Sequence, residues 1–119
     1  MANRILVVDD DDRIRLLYQK ELSQSGYRVE TAATGREAIE KTSADAFDLA
    51  VLDIEMPDLS GLEVLSRMRE QAPLMSVILN SAYSTYKSDF QSWLADAYIV
   101  KSSDLEPLKA KIKELLERS

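Results

Sequence analysis

The chain of 119 residues contains no cysteine, no histidine, and only three glycines and three prolines. Without cysteine there is no disulfide, thiolate metal site or thiol nucleophile, which fits a reducing compartment. Without histidine there is no imidazole general base, histidine zinc ligand or Ser-His-Asp triad. Chemistry is left to Asp, Glu, Lys, Ser, Thr, Tyr and the backbone. Long hydrophobic runs are missing too. The longest, Ile5 to Val8 and Leu49 to Leu52, span four residues, against the ~20 that cross a bilayer. The start, Met1-Ala2-Asn3-Arg4, opens no apolar signal stretch. Basic residues are outnumbered 15 to 21, and the resulting net charge of −6 argues against a nucleic-acid surface. A soluble, cytoplasmic protein with no nucleic-acid or membrane partner is expected.

What is present suffices for a core: 45% of residues are hydrophobic, and the length predicts one domain over 1–119 that folds without staples. Short β-rich segments alternate with segments of helical period, the signature of βα units around a parallel sheet. Five strands are predicted, at 4–8, 27–32, 48–52, 76–80 and 97–100. The first, third and fourth are nearly continuous apolar runs, as strands covered on both faces should be. The second alternates and reads as an edge.

The first helix is capped by Asp11 or Asp12, points Ile14, Leu17, Tyr18 and Leu22 inward, and ends before Gly26. Thr34 with Glu37 forms a capping-box pattern for a second helix that faces Ala38 and Ile39 in. Ser60 or Gly61 opens a third, with Leu62, Leu65 and Met68 inward. A fourth carries Tyr86, Phe90, Trp93 and Leu94 at helical spacing. The fifth, capped by Ser103 or Asp104, carries Leu105, Leu108, Ile112, Leu115 and Leu116. The fold class is α/β, a three-layer α/β/α sandwich around a five-stranded parallel sheet.

In open parallel sheets, sites form beyond the carboxyl ends of the strands, where the strand order reverses. The residues found there are Asp9-Asp10 after the first strand, Asp53 after the third, Ser81-Ala82 after the fourth and Lys101 after the fifth. If the order is 2-1-3-4-5, Asp9, Asp10 and Asp53 converge at one edge of the crevice, with Ser81 and Lys101 approaching from the other. Like charges at ~4 Å cost on the order of 4 kcal/mol per pair at an effective dielectric of 20. Either a proton is retained or a cation binds, and an all-oxygen set suits Mg²⁺. A hard cation, an ammonium, a hydroxyl and backbone amides around a carboxylate are components that stabilise a transferring phosphoryl group, with the carboxylate as possible nucleophile. Taken singly, each residue reads as a turn, a cap or a surface lysine; the joint placement carries the weight.

Asp9-Asp10, the run Leu52-Asp53-Ile54-Glu55-Met56-Pro57 with Gly61, Asn80-Ser81-Ala82 and Tyr98-Ile99-Val100-Lys101 together resemble the receiver domain of bacterial two-component response regulators. The resemblance covers the whole chain, and the sheet order 2-1-3-4-5, flavodoxin-like and CheY-like, rests on it. It implies a stand-alone phosphorelay switch in which Asp53 accepts a phosphoryl group from the phosphohistidine of a sensor histidine kinase or phosphotransfer protein. Asp10 and Asp53 would ligate Mg²⁺ directly, Asp9 through water, and the Glu55 carbonyl would add a ligand. Lys101, Ser81 and the Ala82 amide would hold the phosphoryl oxygens. Ser81 and Tyr98 would form the switch, reshaping the surface of the fourth helix, fifth strand and fifth helix for a downstream protein. Glu55 and Tyr83 stand where the family tunes dephosphorylation. No multiple-turnover enzyme is implied, and a monomer or weak dimer is expected.

The sequence departs from the family pattern in places. Ser102 follows Lys101 where the family usually has a cis proline; a cis bond without proline costs about 2.5–4 kcal/mol, so either a trans bond with an altered loop or a strained exception is expected. Ser81 replaces the commoner threonine, and Leu94-Ala95-Asp96-Ala97 lacks a glycine often found there. Two other readings stay open: a pseudo-receiver that binds partners without phosphorylation, and a Mg²⁺-dependent aspartyl-phosphate phosphatase, against which the chain leaves no length for a cap domain.

Overall fold

A computed structural model describes residues 2–82 and 95–118. The predicted fourth helix, with Tyr86, Phe90, Trp93 and Leu94, and Tyr83 lie outside the described residues. The elements are β1 (Arg4–Val8), α1 (Asp12–Gln24), β2 (Arg28–Ala32), α2 (Gly35–Ala44), β3 (Leu49–Asp53), α3 (Gly61–Gln71), β4 (Ser76–Ser81), β5 (Ala97–Val100) and α4 (Glu106–Arg118). All strand pairings are parallel, in the order β2-β1-β3-β4-β5.

Strand residues alternate between two cores, because successive side chains leave opposite faces of a sheet. Leu6, Val8, Ala50, Leu52, Val77 and Leu79 pack with Ala38 of α2 and Val64, Leu65 and Met68 of α3. On the other face Ile5, Val7, Leu49, Val51 and Ile78 pack with Tyr18 and Leu22 of α1 and with Leu108, Ile112 and Leu115 of α4. Every residue of β3 is buried, which explains the unbroken apolar run. The exposed start and half-buried middle of β2 fit its place at the sheet edge.

Local signals set the helix starts. Asp11 caps α1, accepting from the Arg13 amide. Thr34 accepts from Glu37 N while Glu37 accepts from Ala33 N, closing the expected box one residue early. Ser60 caps α3 through Glu63 N. Asp104 accepts from Glu106 N at the start of α4. Gly26, with φ +99°, ends the α1 turn in a conformation that a side chain would strain.

Several expectations need correction. Asp53 and Ser81 are the last residues of their strands rather than the first beyond them. Leu17 and Leu62 are 44% and 49% exposed. The inward positions near them are Tyr18 and Val64, one and two residues further on, because each residue along a helix turns a side chain by about 100°. The missing glycine before β5 is accommodated by Asp96, whose Oδ2 accepts from Val77 N at 2.8 Å and from Arg69 Nη2 at 2.7 Å.

Candidate functional site

β1, β3 and β4 end on the same rim, and the ladder carries on past them: Asp9 N donates to Ala32 O, and Lys101 N donates to Ser81 O at 2.6 Å. The backbone therefore fixes where Asp9 and Lys101 begin. Asp9, Asp10, Asp53, Glu55, Ser81, Ala82 and Lys101 line one cleft of about 220 Å³, together with Asp11 and Ile14. Asp9 and Asp53 are buried, Ser81 is buried beside them, and Asp10 and Ala82 face solvent.

Part of the charge is offset from across the sheet. Lys101 Nζ lies 2.7 Å from Asp9 Oδ2 and 3.5 Å from Asp53 Oδ2. Burial alone would weaken the Lys101 ammonium, but the hydrogen bond to Asp9 and the fields of Asp53 and Asp9 prevail and its pKa is raised. One cation does not neutralise the group. Burial first, and then the charge of Asp9, push the Asp53 carboxyl up to about 6 despite Lys101 and the Glu55 amide. Of the alternatives posed by the sequence, the retained proton therefore applies to the metal-free site only below about pH 6.

Backbone contacts hold the carboxylates in place. Asp9 Oδ1 accepts from Asp11 N at 2.9 Å, and Asp53 Oδ1 accepts from Glu55 N at 3.2 Å. Glu55 and Ser60 form an isolated antiparallel bridge that closes the loop after β3. Gly61 permits that closure, since a Cβ there would sit 2.6 Å from the Ile54 carbonyl oxygen. Arg15 donates to the Asp9 carbonyl at 2.5 Å and pairs with Asp12, pinning the first loop to α1. Asp58 accepts from Gly35 N and Arg36 N, each at 3.0 Å, tying the second loop to the start of α2. Sequence reasoning assigned nothing to Arg15 or Asp58, because an arginine in a helix and an aspartate in a turn look ordinary until their partners are known.

One carboxylate oxygen each from Asp9, Asp10 and Asp53 lies within 4.8 Å of the others. Neighbouring oxygens around octahedral Mg²⁺ are about 3 Å apart and opposite ones about 4 Å, so small side-chain movements would close the set, and its all-oxygen chemistry fits a hard cation. The Lys101-Ser102 bond is trans, as no described peptide bond is cis, and Lys101 still reaches the cleft. Tyr98 is half-buried on the opposite face of β5, packed against the core shared with α2 and α3. It pairs in register with Leu79.

A carboxylate-rich pocket at the switch point of a 2-1-3-4-5 sheet, with a lysine poised over the central aspartate, defines an α/β domain built for phosphoryl chemistry. Residues 5–113 match the response regulator receiver domain family, and the chain belongs to that family. It is 36% identical, over all of its length, to the alkaline phosphatase synthesis transcriptional regulatory protein PhoP of Bacillus subtilis, covering 50% of that protein. It is 33% identical to the response regulator ArlR of Staphylococcus aureus, over 97% of this chain and 53% of ArlR. The chain thus spans about half the length of these curated relatives. Among solved structures, the response regulator TrrA of Thermotoga maritima in complex with Mg²⁺-BeF is 49% identical with a TM-score of 0.90, over 95% of this chain and 98% of that one. A CheY-like receiver from Methanospirillum hungatei is 36% identical with the same TM-score, over 99% and 96%. Among the described residues, no helix is long and apolar enough to cross a membrane.

Proposed function

We propose that residues 1–119 form one receiver unit that takes a phosphoryl group onto Asp53 from a phosphohistidine and relays the change to a downstream protein. The observation that carries this reading is Lys101 Nζ bridging Asp9 and Asp53 at 2.7 and 3.5 Å with Asp10 beside them. A carboxylate oxygen of Asp53 attacks phosphorus, the bond from phosphorus to the imidazole nitrogen breaks, and the imidazole leaves with that electron pair and recovers its proton balance from solvent. The transition state is loose, so positioning and charge neutralisation do most of the work. Lys101, the Ser81 hydroxyl and the Ala82 amide would hold the phosphoryl oxygens. Asp10, Asp53 and the Glu55 carbonyl would hold Mg²⁺ directly and Asp9 would hold it through water. When bound, Mg²⁺ supplies the positive charge that lets Asp53 stay ionised beside Asp9 and offsets charge on the phosphoryl oxygens.

Ser81 and Tyr98 would couple the phosphoryl group to the surface of β5, α4 and the helix that the sequence predicts before β5, which lies outside the described residues, shifting a two-state equilibrium. Reversal is hydrolysis: water oxygen attacks phosphorus, the bond to Asp53 breaks, and phosphate leaves, at a rate tuned by Glu55 and Tyr83. On this reading the aspartyl phosphate persists as the signalling state and is not an intermediate of a multiple-turnover enzyme. The donor class is a sensor histidine kinase or phosphotransfer protein, in a cytoplasmic setting, with the chain acting as monomer or weak dimer. Support comes from TrrA, also solved in complex with the histidine kinase ThkA and 49% identical to this chain. The test is intact mass after incubation with Mg²⁺ and a small phosphodonor. A gain of one phosphoryl group, dependent on Mg²⁺ and lost in Asp53→Asn, is expected. A well-folded protein that gains no mass would favour a binding module that works without phosphorylation, and rapid donor hydrolysis with no adduct would favour a phosphatase.

A further inference from the structure

The sheet face toward α1 and α4 is apolar along Ile5, Val7, Leu49, Val51 and Ile78. Asn80 interrupts it. This residue is 2% exposed, its Nδ2 donates to the Tyr18 hydroxyl at 2.8 Å, and its buried Oδ1 has no hydrogen-bond partner. A leucine of similar shape would fill the space without leaving a desolvated oxygen unpaired, so packing alone does not account for the amide.

Its position suggests what does. Asn80 pairs in register with Asp53 on one side and Ile99 on the other, so these side chains share a face, as does Lys101 two residues beyond Ile99. Because β4 lies between β5 and β3, the Lys101 stem reaches Asp53 and Asp9 only by crossing the end of β4, where Asn80 sits. An ammonium has three protons to place. In this structure Asp9 and Asp53 are its ion-pair partners.

We propose that Asn80, its amide anchored by Tyr18, is a positioning residue that offers its carbonyl oxygen to the Lys101 ammonium when that group gives up Asp9. This rests on the phosphoacceptor reading, in which Lys101 must turn from Asp9 to oxygens on phosphorus above Asp53. A neutral acceptor beneath the stem holds the ammonium on the Asp53 side without competing for it. A carboxylate at 80 would compete, and an apolar side chain would leave Lys101 to Asp9.

The test times phosphoryl uptake from phosphoramidate with Mg²⁺, by intact mass, in wild type, Asn80→Leu, Tyr18→Phe, Lys101→Ala and the Asn80→Leu/Lys101→Ala pair, with urea unfolding of each. Asn80→Leu should fold at least as stably as wild type, having lost its unpaired oxygen, yet take up phosphoryl about tenfold more slowly, the scale of one hydrogen bond to a charged group. Tyr18→Phe should slow uptake in the same direction. In the Lys101→Ala background the Asn80 change should alter the rate less than about twofold, since its partner is gone. Wild-type speed in Asn80→Leu, or equal slowing in both backgrounds, would overturn the proposal while leaving Asp53 as acceptor. No uptake by wild type would overturn the functional reading and this inference with it.

Discussion

Replacing Asp53 by asparagine should stabilise the metal-free protein, and by an amount that grows with pH. The Asp53 carboxyl titrates near 6 in the fold against 3.8 for the free group, chiefly because it is buried and next because Asp9 is close. Between those values the folded chain binds more protons than the unfolded one, so stability falls as pH rises through the window. A difference of about two pH units at ~1.4 kcal/mol each puts the cost of the ionised group at about 3 kcal/mol above neutrality. Asparagine keeps the shape, carries no charge at any pH and leaves Lys101 paired with Asp9. Urea unfolding of both proteins in a chelator, from about pH 4.5 to about pH 8, should show their curves close together at the acid end and Asp53→Asn ahead by roughly 1–3 kcal/mol at the alkaline end. Adding Mg²⁺ should narrow the gap, because the cation binds only the folded wild type well. A gap that stays constant with pH, or a wild type more stable at pH 8, would refute the view that crowded carboxylates strain this rim.

Gly61→Ala should destabilise the fold by about 2 kcal/mol or more, because its Cβ would meet the Ile54 backbone at 2.6 and 2.8 Å; thermal unfolding unchanged within error would contradict this. Lys101→Met removes a positive charge that lies against Asp9 and Asp53 and should tighten Mg²⁺ binding by tenfold or more, since a unit charge ~6 Å from a divalent cation opposes it by about 5 kcal/mol at an effective dielectric of 20, before ion and solvent screening reduce it. Titration calorimetry showing equal or weaker binding would count against the shared site. Ile112→Ala opens a cavity under α4 at a fully buried position and should cost about 2–5 kcal/mol in urea unfolding.

Much of this was legible because the strands sit in a covered parallel sheet. Apolar runs such as Ile5–Val8 and Leu49–Leu52 have no other comfortable home, and polar residues ending them must meet on one rim. The cap at Thr34 was equally readable, since its hydroxyl three residues ahead of Glu37 makes a capping-box pattern, whereas the third helix start stayed open between Ser60 and Gly61 until Ser60 was seen to accept from Glu63 N. The strand order was not, because alternation permits several orders and only the family resemblance selected 2-1-3-4-5. Leu17 and Leu62 were misplaced because the apolar pattern of a short amphipathic helix tolerates a residue or two of phase error, whereas burial does not. Asn80 stands in the motif Asn80-Ser81-Ala82 with no role that the sequence alone assigns. Its signal was a polar side chain inside the run Val77-Ile78-Leu79, but its meaning needed Tyr18, 62 positions away.

The most direct test is to locate the phosphoryl group. After reaction with a small phosphodonor and Mg²⁺, borohydride reduces an acyl phosphate to the alcohol, and peptide mapping then reads which aspartate has become homoserine. The structure predicts conversion at position 53 alone. Conversion at Asp9 or Asp10, or none in a protein that has gained the mass of a phosphoryl group, would contradict it.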